Sequence, residues 1–401
     1  MSKIAYKFRV YPTKKQAQIL HWTLDHAREL YNAALQERRD AYRMAGKHIT
    51  YYDQANQLPD IKDSRKEYRC IHSQVLQDVL KRVDKAMQAF FRRCKTGETP
   101  GYPRFQGRDR YDSFTYPQGG YTVAVHEKHA TVTLSKVGTI KVKLHRKIEG
   151  KIKTCTIKHE GQHWYMVFAC ERETTALPVS YEDVGIDLGL LHFATLSNSE
   201  TRENPRHYRR AEKKLKVLQQ SLARKKRGSH RRQKAVQRVA KAHRKVRNQR
   251  ADFLHKESRK LVNRYQVIVF EDLQSANLSK RPQPKQDEEG KYLPNGAAAK
   301  GGLNKSIHDA GWKMFVSMCT YKAANAGREV LQVNPRYSSQ VCSGCGTVKK
   351  KTLEERWHSC ACGTELDRDH NAAINILRLG SSQRILPVCA ALGSCVEAPC
   401  L

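Results

Sequence analysis

The alternation of apolar and polar residues predicts how the first third of the chain folds. The segment IAYKFRV alternates with a period of two and predicts a β-strand that ends before Pro12. Apolar residues then recur at helical spacing in residues 14–40, and a second apolar stripe predicts a further helix. The members of that second stripe are Val75, Leu76, Val79, Leu80, Val83, Met87, Phe90 and Phe91. Residues 13–105 are therefore predicted to form a helical module.

The period changes back to two between Tyr111 and Glu173. The alternating runs are YTVAV, HATVTLS, GTIKVKL, KIKTCTIKH and HWYMVFAC, and turn residues or charges separate them. This pattern predicts a small antiparallel β-barrel. We expect the opening strand to belong to it, so the predicted wedge-like domain comprises residues 1–12 and 106–178, with the helical module inserted.

A third region begins near residue 179 and alternates strands with helices. A short apolar strand contains Asp187, and a second strand, YQVIVFEDL, ends in Glu271. The polar segment KRPQPKQDEEGKYLPNGAAAKGG is rich in Pro and Gly and predicts a mobile loop or lid. A helix around Trp312, a strand at EVLQV and a helix after Asp369 follow, whereas the tail after Leu379 shows no pattern.

Charge along this third region is strongly one-sided. Residues 204–250 contain 19 Lys or Arg and one acid, Glu212. Two thin apolar stripes and the bend KKRGSH predict a helical hairpin. Their members are Leu215, Leu218, Leu222, Val236, Val239 and Val246. A merely solvated hairpin would mix charges for pairing along the helix, so a single sign favours phosphate contact.

Composition extends this conclusion to the whole chain. The 401 residues include 74 Lys or Arg against 39 Asp or Glu, a formal net charge of +35, which favours a polyanionic partner such as nucleic acid. The length is sufficient for two or three cores. No apolar run reaches membrane-spanning length, and the first residues lack a secretory core, so we expect a cytoplasmic protein without a membrane partner.

Four of the twelve cysteines form two close pairs. Cys342 and Cys345 lie in CSGCG, and Cys360 and Cys362 lie in CACG. Four thiolates on two glycine-containing turns can hold a structural zinc ion in tetrahedral geometry. The second pair is separated by one residue instead of two, so His358 is an alternative ligand, and a redox pair is an alternative function. The other eight cysteines are interpreted as buried or idle thiols.

Three acidic residues stand where an unpartnered acid is costly. Asp187 interrupts an apolar strand, Glu271 ends another, and Asp369 lies at a helix start. If they converge, two Mg²⁺ or Mn²⁺ ions would relieve their repulsion and could activate water for phosphodiester hydrolysis. Taken singly, they could be a turn residue, an ion-pair partner and a helix cap. Together with the basic charge, they favour a nuclease.

An ordered set of motifs resembles the TnpB, or OrfB, proteins of insertion sequences, which are related to the type V CRISPR effectors. The motifs are YKFRVYPTKKQ, LYNAALQERRDAYR, GYPRFQGR, VGIDLGL, DFLHK, VFEDL, DAGW, YSSQVCSGCG and LDRDHNAAINI. They span the chain up to about Leu379.

This resemblance implies an α/β multidomain protein with a ribonuclease H-like (RuvC) core in residues 179–337 and 366–380. The inserted zinc ribbon would comprise residues 338–365, and residues 381–401 would be a tail. Asp187, Glu271 and Asp369 match the family's catalytic acids, with Asp369 preferred over Asp367.

The resemblance also implies partners. These are a guide RNA from the transposon end and double-stranded target DNA beside an adjacent motif. The helical module and the barrel would hold the adjacent motif and the heteroduplex. Five aromatic residues are candidates for stacking or for the core: Tyr52, Phe105, Tyr111, Phe114 and Tyr116.

Alternative functions are a non-cutting RNA-guided DNA-binding repressor, a transposition accessory factor, or a transposase that joins strands itself. The presence of all three acids disfavours the repressor. A transposase would need its own end-joining chemistry, which related elements supply with a separate tyrosine enzyme. Oligomeric state stays open.

Overall fold

The computed structural model describes residues 2–108, 110–127, 129–352 and 354–392. The chain forms two compact units, Met1–Glu173 and Thr174–Leu401. Across the described ranges, no helix is both long and apolar enough to cross a membrane.

The first unit contains a seven-stranded antiparallel sheet. Its strands are β1 (Ser2–Val10), β2 (Ser113–Tyr116), β3 (Tyr121–Val125), β4 (His129–Leu134), β5 (Gly138–Lys143), β6 (Lys151–Glu160) and β7 (His163–Arg172). Their order is β2-β6-β7-β1-β5-β4-β3. Strand β1 pairs with β7 from Ser2 opposite Arg172 to Val10 opposite Trp164, so the first strand is central to a sheet whose other strands come much later.

The sequence predicts a small antiparallel β-barrel, and the structure has an antiparallel sheet of these strands. Among the described residues, β2 and β3 stand at the two ends of the hydrogen-bonded order and do not pair with each other. The two ends of the order nevertheless come close to each other. Tyr116 on β2 donates a hydrogen bond of 3.0 Å to the carbonyl oxygen of Ser135, just after β4.

The helices of the first unit lie between β1 and β2 in sequence. They are α1 (Lys14–Ala45), α2 (Tyr51–Asn56), α3 (Leu58–Ser64) and α4 (Ser73–Lys95), with a 3-10 turn at Lys66–Cys70. Thr13 and Gln16 form a capping box at the start of α1, and Gly46 ends that helix in the left-handed conformation. Helix α1 therefore runs beyond residue 40, where the predicted pattern stopped.

The stripe that predicts α4 is buried in its first half only. The residues from Val75 to Val83 in the stripe are buried, whereas Phe91 is 42% exposed. Among the five aromatic candidates, Tyr111, Phe114 and Tyr116 belong to the core, and Tyr52 and Phe105 are exposed.

The second unit is built on a five-stranded mixed sheet. The strands of the sheet are β8 (Asp183–Asp187), β9 (His192–Leu196), β10 (Thr201–Glu203), β11 (Val267–Glu271) and β14 (Glu329–Val333). Two short hairpins consist of β12 (Lys285–Gln286) with β13 (Tyr292–Leu293), and β15 (Trp357–Ser359) with β16 (Glu365–Asp367). The sheet order is β10-β9-β8-β11-β14, in which β8, β11 and β14 are parallel and β9 and β10 are antiparallel to their neighbours.

Among its described residues, the second unit also has six helices. They are α5 (His207–Ala223), α6 (His230–Arg264), α7 (Ser275–Leu278), α8 (Ala297–Ala310), α9 (Trp312–Ala326) and α10 (Arg368–Leu392). Ile268 and Phe270 of β11 share a core with α6 and α9, while Val267 and Val269 pack with Ile376 of α10. Because helices cover both of its faces, every residue of β11 is buried.

Three sequence expectations change in this unit. The basic hairpin α5–α6 forms, but Ala235 is buried in place of Val236, which is 47% exposed. The predicted lid is partly ordered, since it contains the β12–β13 hairpin and the first turn of α8. Helix α10 continues past Leu379 to Leu392, and residues 393–401 of the predicted tail lie outside the described residues.

Candidate active site and cysteine cluster

Asp187 and Glu271 end two neighbouring parallel strands. Ile186 of β8 lies opposite Phe270 of β11, and the next residue on each strand is the acid. Parallel strands present their carboxyl ends at the same edge of a sheet, which is where open α/β sheets form their sites. The fold therefore places both carboxylates at one edge, although the two acids are 84 positions apart in the sequence.

Helix α10 brings Asp369 to the same edge. A Cβ atom added at Gly185 would lie 2.2 Å from the carbonyl oxygen of Ala373, and one added at Gly380 would lie 2.5 Å from Val269. Only glycine allows this close approach, so α10 lies directly against β8 and β11. Asp369, in the first turn of the helix, is thereby held beside the carboxyl end of β8.

Asp367 has a different position from Asp369. Its carboxylate oxygen Oδ1 accepts backbone N–H bonds from Asp369, at 2.9 Å, and from His370, at 3.2 Å. These are the free N–H groups of the first turn of α10, so Asp367 acts as the helix cap. The carboxylate of Asp369 instead lies 3.5 Å from the Arg368 guanidinium.

Burial and neighbouring negative charges raise the pKa of both strand acids. For Asp187 the largest cause is burial, to which the charges of Glu271 and Asp369 add, and the pKa lies well above its usual range. Part of the Asp187 side chain stays accessible even though close packing desolvates its carboxylate. Burial also raises the pKa of Glu271, with a hydrogen bond from Ser338 opposing and Asp369 reinforcing the shift.

The chemistry of these three acids fits a divalent cation. Hard carboxylate oxygens are the ligands that Mg²⁺ and Mn²⁺ prefer, and a cation would offset the repulsion that raises the pKa values.

Sequence reasoning missed three residues around this site: Ser338, Asn371 and Asn375. Each is buried, and Ser338 donates a hydrogen bond to Glu271 through its hydroxyl group. All three lie in motifs that support the family resemblance, YSSQVCSGCG and LDRDHNAAINI. Buried polar residues inside such motifs are the sequence feature that could have indicated them.

The four clustered cysteines come together as predicted. Their sulfur atoms all lie within 4.8 Å of one another, with Cys342 and Cys362 at 3.7 Å and Cys345 and Cys360 at 3.6 Å. Four thiolates in this arrangement fit a structural zinc ion. His358 is buried beside Lys351 and is outside the cluster.

The cluster also favours the thiolate form at one ligand. Burial alone would raise the pKa of Cys342, but hydrogen bonds from the Cys345 backbone and from His358 lower it to about 5. In the described part of the chain, only these four cysteines form a group of Cys, His, Asp or Glu residues whose ligand atoms all lie within 4.8 Å of one another. The carboxylate oxygens of the three acids are therefore more widely spaced.

The basic hairpin is anchored by two acids. Glu212 accepts from Arg209 at 3.1 Å and from Lys305 at 2.8 Å. Asp309, in the motif DAGW, is buried and accepts from the Tyr208 backbone at 2.8 Å and from Arg250 at 2.9 Å. These contacts fix α8 against α5 and α6, while many other cations of the hairpin stay exposed.

Three family models match the chain. A model described as "Probable transposase" matches residues 167–281, one described as "Cas12f1-like, TNB domain" matches residues 312–376, and one described as "Helix-turn-helix domain" matches residues 1–47. The TNB match contains all four cysteines and Asp369. Within residues 2–47 the structure has β1 and a single helix, α1, so it forms no helix-turn-helix there.

Similar proteins match over nearly the full length. A "Putative RNA-guided DNA endonuclease" from Streptomyces pristinaespiralis is 33% identical over 390 residues, covering 94% of this chain and 89% of the relative. "Putative RNA-guided DNA endonuclease InsQ" from Escherichia coli (strain K12) is 32% identical over 381 residues, covering 94% and 92%. The protein in the "Cryo-EM structure of the Cas12f1-sgRNA-target DNA complex" has a TM-score of 0.57 at 13% identity, covering 91% of this chain and 83% of that chain.

The fold and the cysteine cluster thus define a protein with a Cas12f-like fold and a TNB domain. Sequence identity of 32–33% with two relatives over 94% of the chain assigns it to one family within this class. The chain belongs to the TnpB family, as its motifs predicted.

Proposed function

We propose that the chain is an RNA-guided endonuclease of a mobile element, which hydrolyses phosphodiester bonds of target DNA at Asp187, Glu271 and Asp369. The observation that carries this proposal is the convergence of three acids from distant segments: Glu271 and Asp369 both add to the raised pKa of Asp187, and Asp369 adds to that of Glu271. The two relatives that match over about nine tenths of their length are named as RNA-guided DNA endonucleases, which supports the guided cleavage of DNA. A mixed sheet with acids at the ends of adjacent central strands supports a ribonuclease H-like (RuvC) core.

The residues of the chain have separate tasks in this mechanism. Asp187, Glu271 and Asp369 would hold two Mg²⁺ or Mn²⁺ ions, which when bound supply an activated water molecule and stabilise the leaving oxygen. The ends of β8 and β11 orient the strand acids, and Ser338 holds one oxygen of Glu271. Asp367 fixes the first helical turn that carries Asp369.

Binding is assigned to the charged and inserted parts of the chain. The exposed cations of α5 and α6 would contact phosphates of a guide RNA derived from the transposon end. The ribbon at residues 338–365 would hold zinc within a core of residues 179–337 and 366–380. The first unit would contact target DNA and its adjacent motif. This activity places the protein with the nucleoid in the cytoplasm.

The test is cleavage by the complex purified with its RNA. That RNA is sequenced, and a plasmid that contains the matching target is added with Mg²⁺. We expect Asp187→Asn to slow cleavage by about a thousandfold, equivalent to about 4 kcal/mol at 1.36 kcal/mol per tenfold change, while target affinity stays unchanged. The isosteric amide preserves the packing and removes the charge.

Asp183→Asn is the matched control, because Asp183 begins the same strand. Its carboxylate accepts the Val267 N–H at 3.0 Å, and an amide oxygen can replace that acceptor. This variant should cut at the wild-type rate. Tight target binding without cleavage by the wild type would favour the non-cutting DNA-binding alternative, and an equal loss of target binding in Asp187→Asn would contradict a catalytic role.

A further inference from the structure

Two buried asparagines on α10 clamp the chain just before and within the first cysteine pair. Asn371 accepts the Ser343 N–H at 2.8 Å and donates to the Val341 carbonyl oxygen at 2.7 Å. Asn375, one helical turn later, donates to the carbonyl oxygens of Val341, at 2.7 Å, and of Ser338, at 2.9 Å. Every partner is a backbone atom, so the asparagines fix the path of the segment from Ser338 to Ser343.

The beginning of this segment reaches the candidate active site. The Ser338 hydroxyl donates to Oε1 of Glu271, and both side chains are buried. A buried carboxylate with a fixed partner on one oxygen has a restricted rotamer, and both oxygens keep a lone pair that a cation can use. Ser338 therefore sets the orientation of Glu271.

The end of the same segment is the cysteine cluster. Cys342 directly follows Val341, whose carbonyl oxygen accepts from both asparagines. Its backbone N–H donates to the Thr347 carbonyl oxygen at 2.9 Å, which closes the turn that bears Cys345. Four thiolates within 4.8 Å repel one another unless a cation holds them, so the geometry of this turn depends on the metal.

We propose that Ser338, Asn371 and Asn375 are positioning residues that couple the metal-bound cysteine cluster to the orientation of Glu271. The cation fixes the cysteine turn, the asparagines hold that turn against the helix that carries Asp369, and Ser338 passes the constraint to Glu271. One helix thus places Asp369 directly and Glu271 indirectly. The inference rests on the proposed function, because it assumes that Glu271 binds a catalytic cation.

Metal binding at the acids tests the coupling without measuring cleavage. Mn²⁺ is titrated into the RNA-bound protein, and free Mn²⁺ is followed by electron paramagnetic resonance. Binding to RNA phosphates is subtracted with the Asp187→Asn complex. We expect Ser338→Ala to weaken the specific Mn²⁺ sites by about tenfold or more, the usual effect of removing a partner of a metal ligand.

Matched variants separate coupling from general damage. Ser339→Ala changes the neighbouring serine and should bind Mn²⁺ as the wild type does. Asn375→Ala should weaken Mn²⁺ binding although it contacts no acid, and the double variant with Ser338→Ala should lose no more than the larger single effect. Zinc content and target affinity of each complex show whether it is folded, and Ser338→Ala should retain both.

The outcomes distinguish the two proposals. Equal Mn²⁺ affinity of wild type and Ser338→Ala, both above Asp187→Asn, overturns the coupling alone. Equal affinity of wild type and Asp187→Asn overturns the proposed function and the coupling with it. If Asn375→Ala loses zinc but keeps its target affinity, a joint loss of Mn²⁺ affinity supports the coupling, and normal Mn²⁺ affinity contradicts it.

Discussion

Asp367 and Asp369, separated by one residue, have different roles in the structure. Asp367 accepts two N–H groups at the start of α10, and its charge raises the pKa of Asp187 less than that of Asp369 does. Asp369 also raises the pKa of Glu271. The motif LDRD offers both aspartates, and composition cannot distinguish them. The hydrogen bonds distinguish them, because a carboxylate that caps a helix has one oxygen already engaged.

We therefore expect opposite results from the same substitution at these positions. Asp367→Asn should cut at nearly the wild-type rate, since asparagine is also a good cap, and Asp369→Asn should be slower by about a thousandfold. Asp367→Ala should lower the free energy of unfolding by about 1 kcal/mol. Single-turnover cleavage and thermal unfolding measure these effects. If Asp367→Asn is as slow as Asp369→Asn, then Asp367 is also a metal ligand.

The strand acids could be predicted from the sequence because they break apolar patterns. Asp187 and Glu271 stand in buried strands, where any charge requires a partner. Ser338, Asn371 and Asn375 could not be assigned roles in this way. The two asparagines bond backbone groups, and Ser338 bonds the carboxylate of Glu271. These partners are brought close only by tertiary packing, and no periodic pattern encodes such a contact.

At the scale of elements, the ribbon depends on its cluster more than on a core. Its strands β15 and β16 have three residues each, and Trp357 is 59% exposed. The sequence predicted the four cysteines, and the one-residue spacing of Cys360 and Cys362 still brings both sulfur atoms into the group.

We expect Cys342→Ser to lower the zinc content and the yield of folded protein, because structural zinc contributes directly to folding. Cys319→Ser is the matched control, since Cys319 is buried in the core with α9 and lies outside the cluster. Metal analysis and thermal unfolding provide the measurement. One zinc per chain in Cys342→Ser would show that Cys342 is not a ligand.

The packing of α9 against α6 contains a buried lysine. Lys322 donates to the His255 carbonyl oxygen at 2.7 Å and to the Ser258 hydroxyl at 2.6 Å, and burial lowers its pKa to about 8. Between about pH 8 and pH 10.5 the unfolded chain keeps a proton that the folded chain has released. The free energy of unfolding therefore rises with pH across that window. Below about pH 8 the folded chain carries the full cost of burying the charged lysine.

Lys322→Met should remove this dependence. We expect it to raise the free energy of unfolding at pH 7 by about 1 to 3 kcal/mol, because a buried charge is replaced by an apolar side chain of similar length. Denaturant unfolding at pH 7 and pH 9.5 measures the change. A destabilised Lys322→Met protein at pH 7 would mean that the two hydrogen bonds outweigh the burial cost.

Helix α8 shows why the sequence predicted no helix within the loop or lid. Its residues Gly301 and Gly302 have poor helix propensity, which indicated a loop. Tertiary contacts override that preference, since Arg209 donates to the Gly302 carbonyl oxygen at 2.8 Å and Lys305 pairs with Glu212.

At the scale of the whole molecule, the net charge could be read directly from the sequence, whereas the pairing of most strands could not. The surplus of basic residues needed only counting. A period of two identifies strands but not their partners, so the ends of the seven-stranded sheet could not be derived.

The charge on the hairpin should determine how salt affects RNA binding. Replacing the exposed Lys213, Lys214 and Lys216 with Gln should reduce the slope of log affinity against log salt by about 2 to 3, because each phosphate contact contributes about 0.7 to 0.9. The same positions changed to Arg keep the charge and should keep the slope. Filter binding of the co-purified RNA across salt concentrations measures it, and equal slopes for the Gln and Lys proteins would exclude these contacts.

The absence of a side chain at Gly185 has a mechanical consequence. At this point no side chain of β8 lies between the strand and α10, because the backbone of the strand packs directly against the backbone of the helix. The distance between the strand end bearing Asp187 and the first turn bearing Asp369 is thus stiff, and thermal motion of the surrounding loops changes it little.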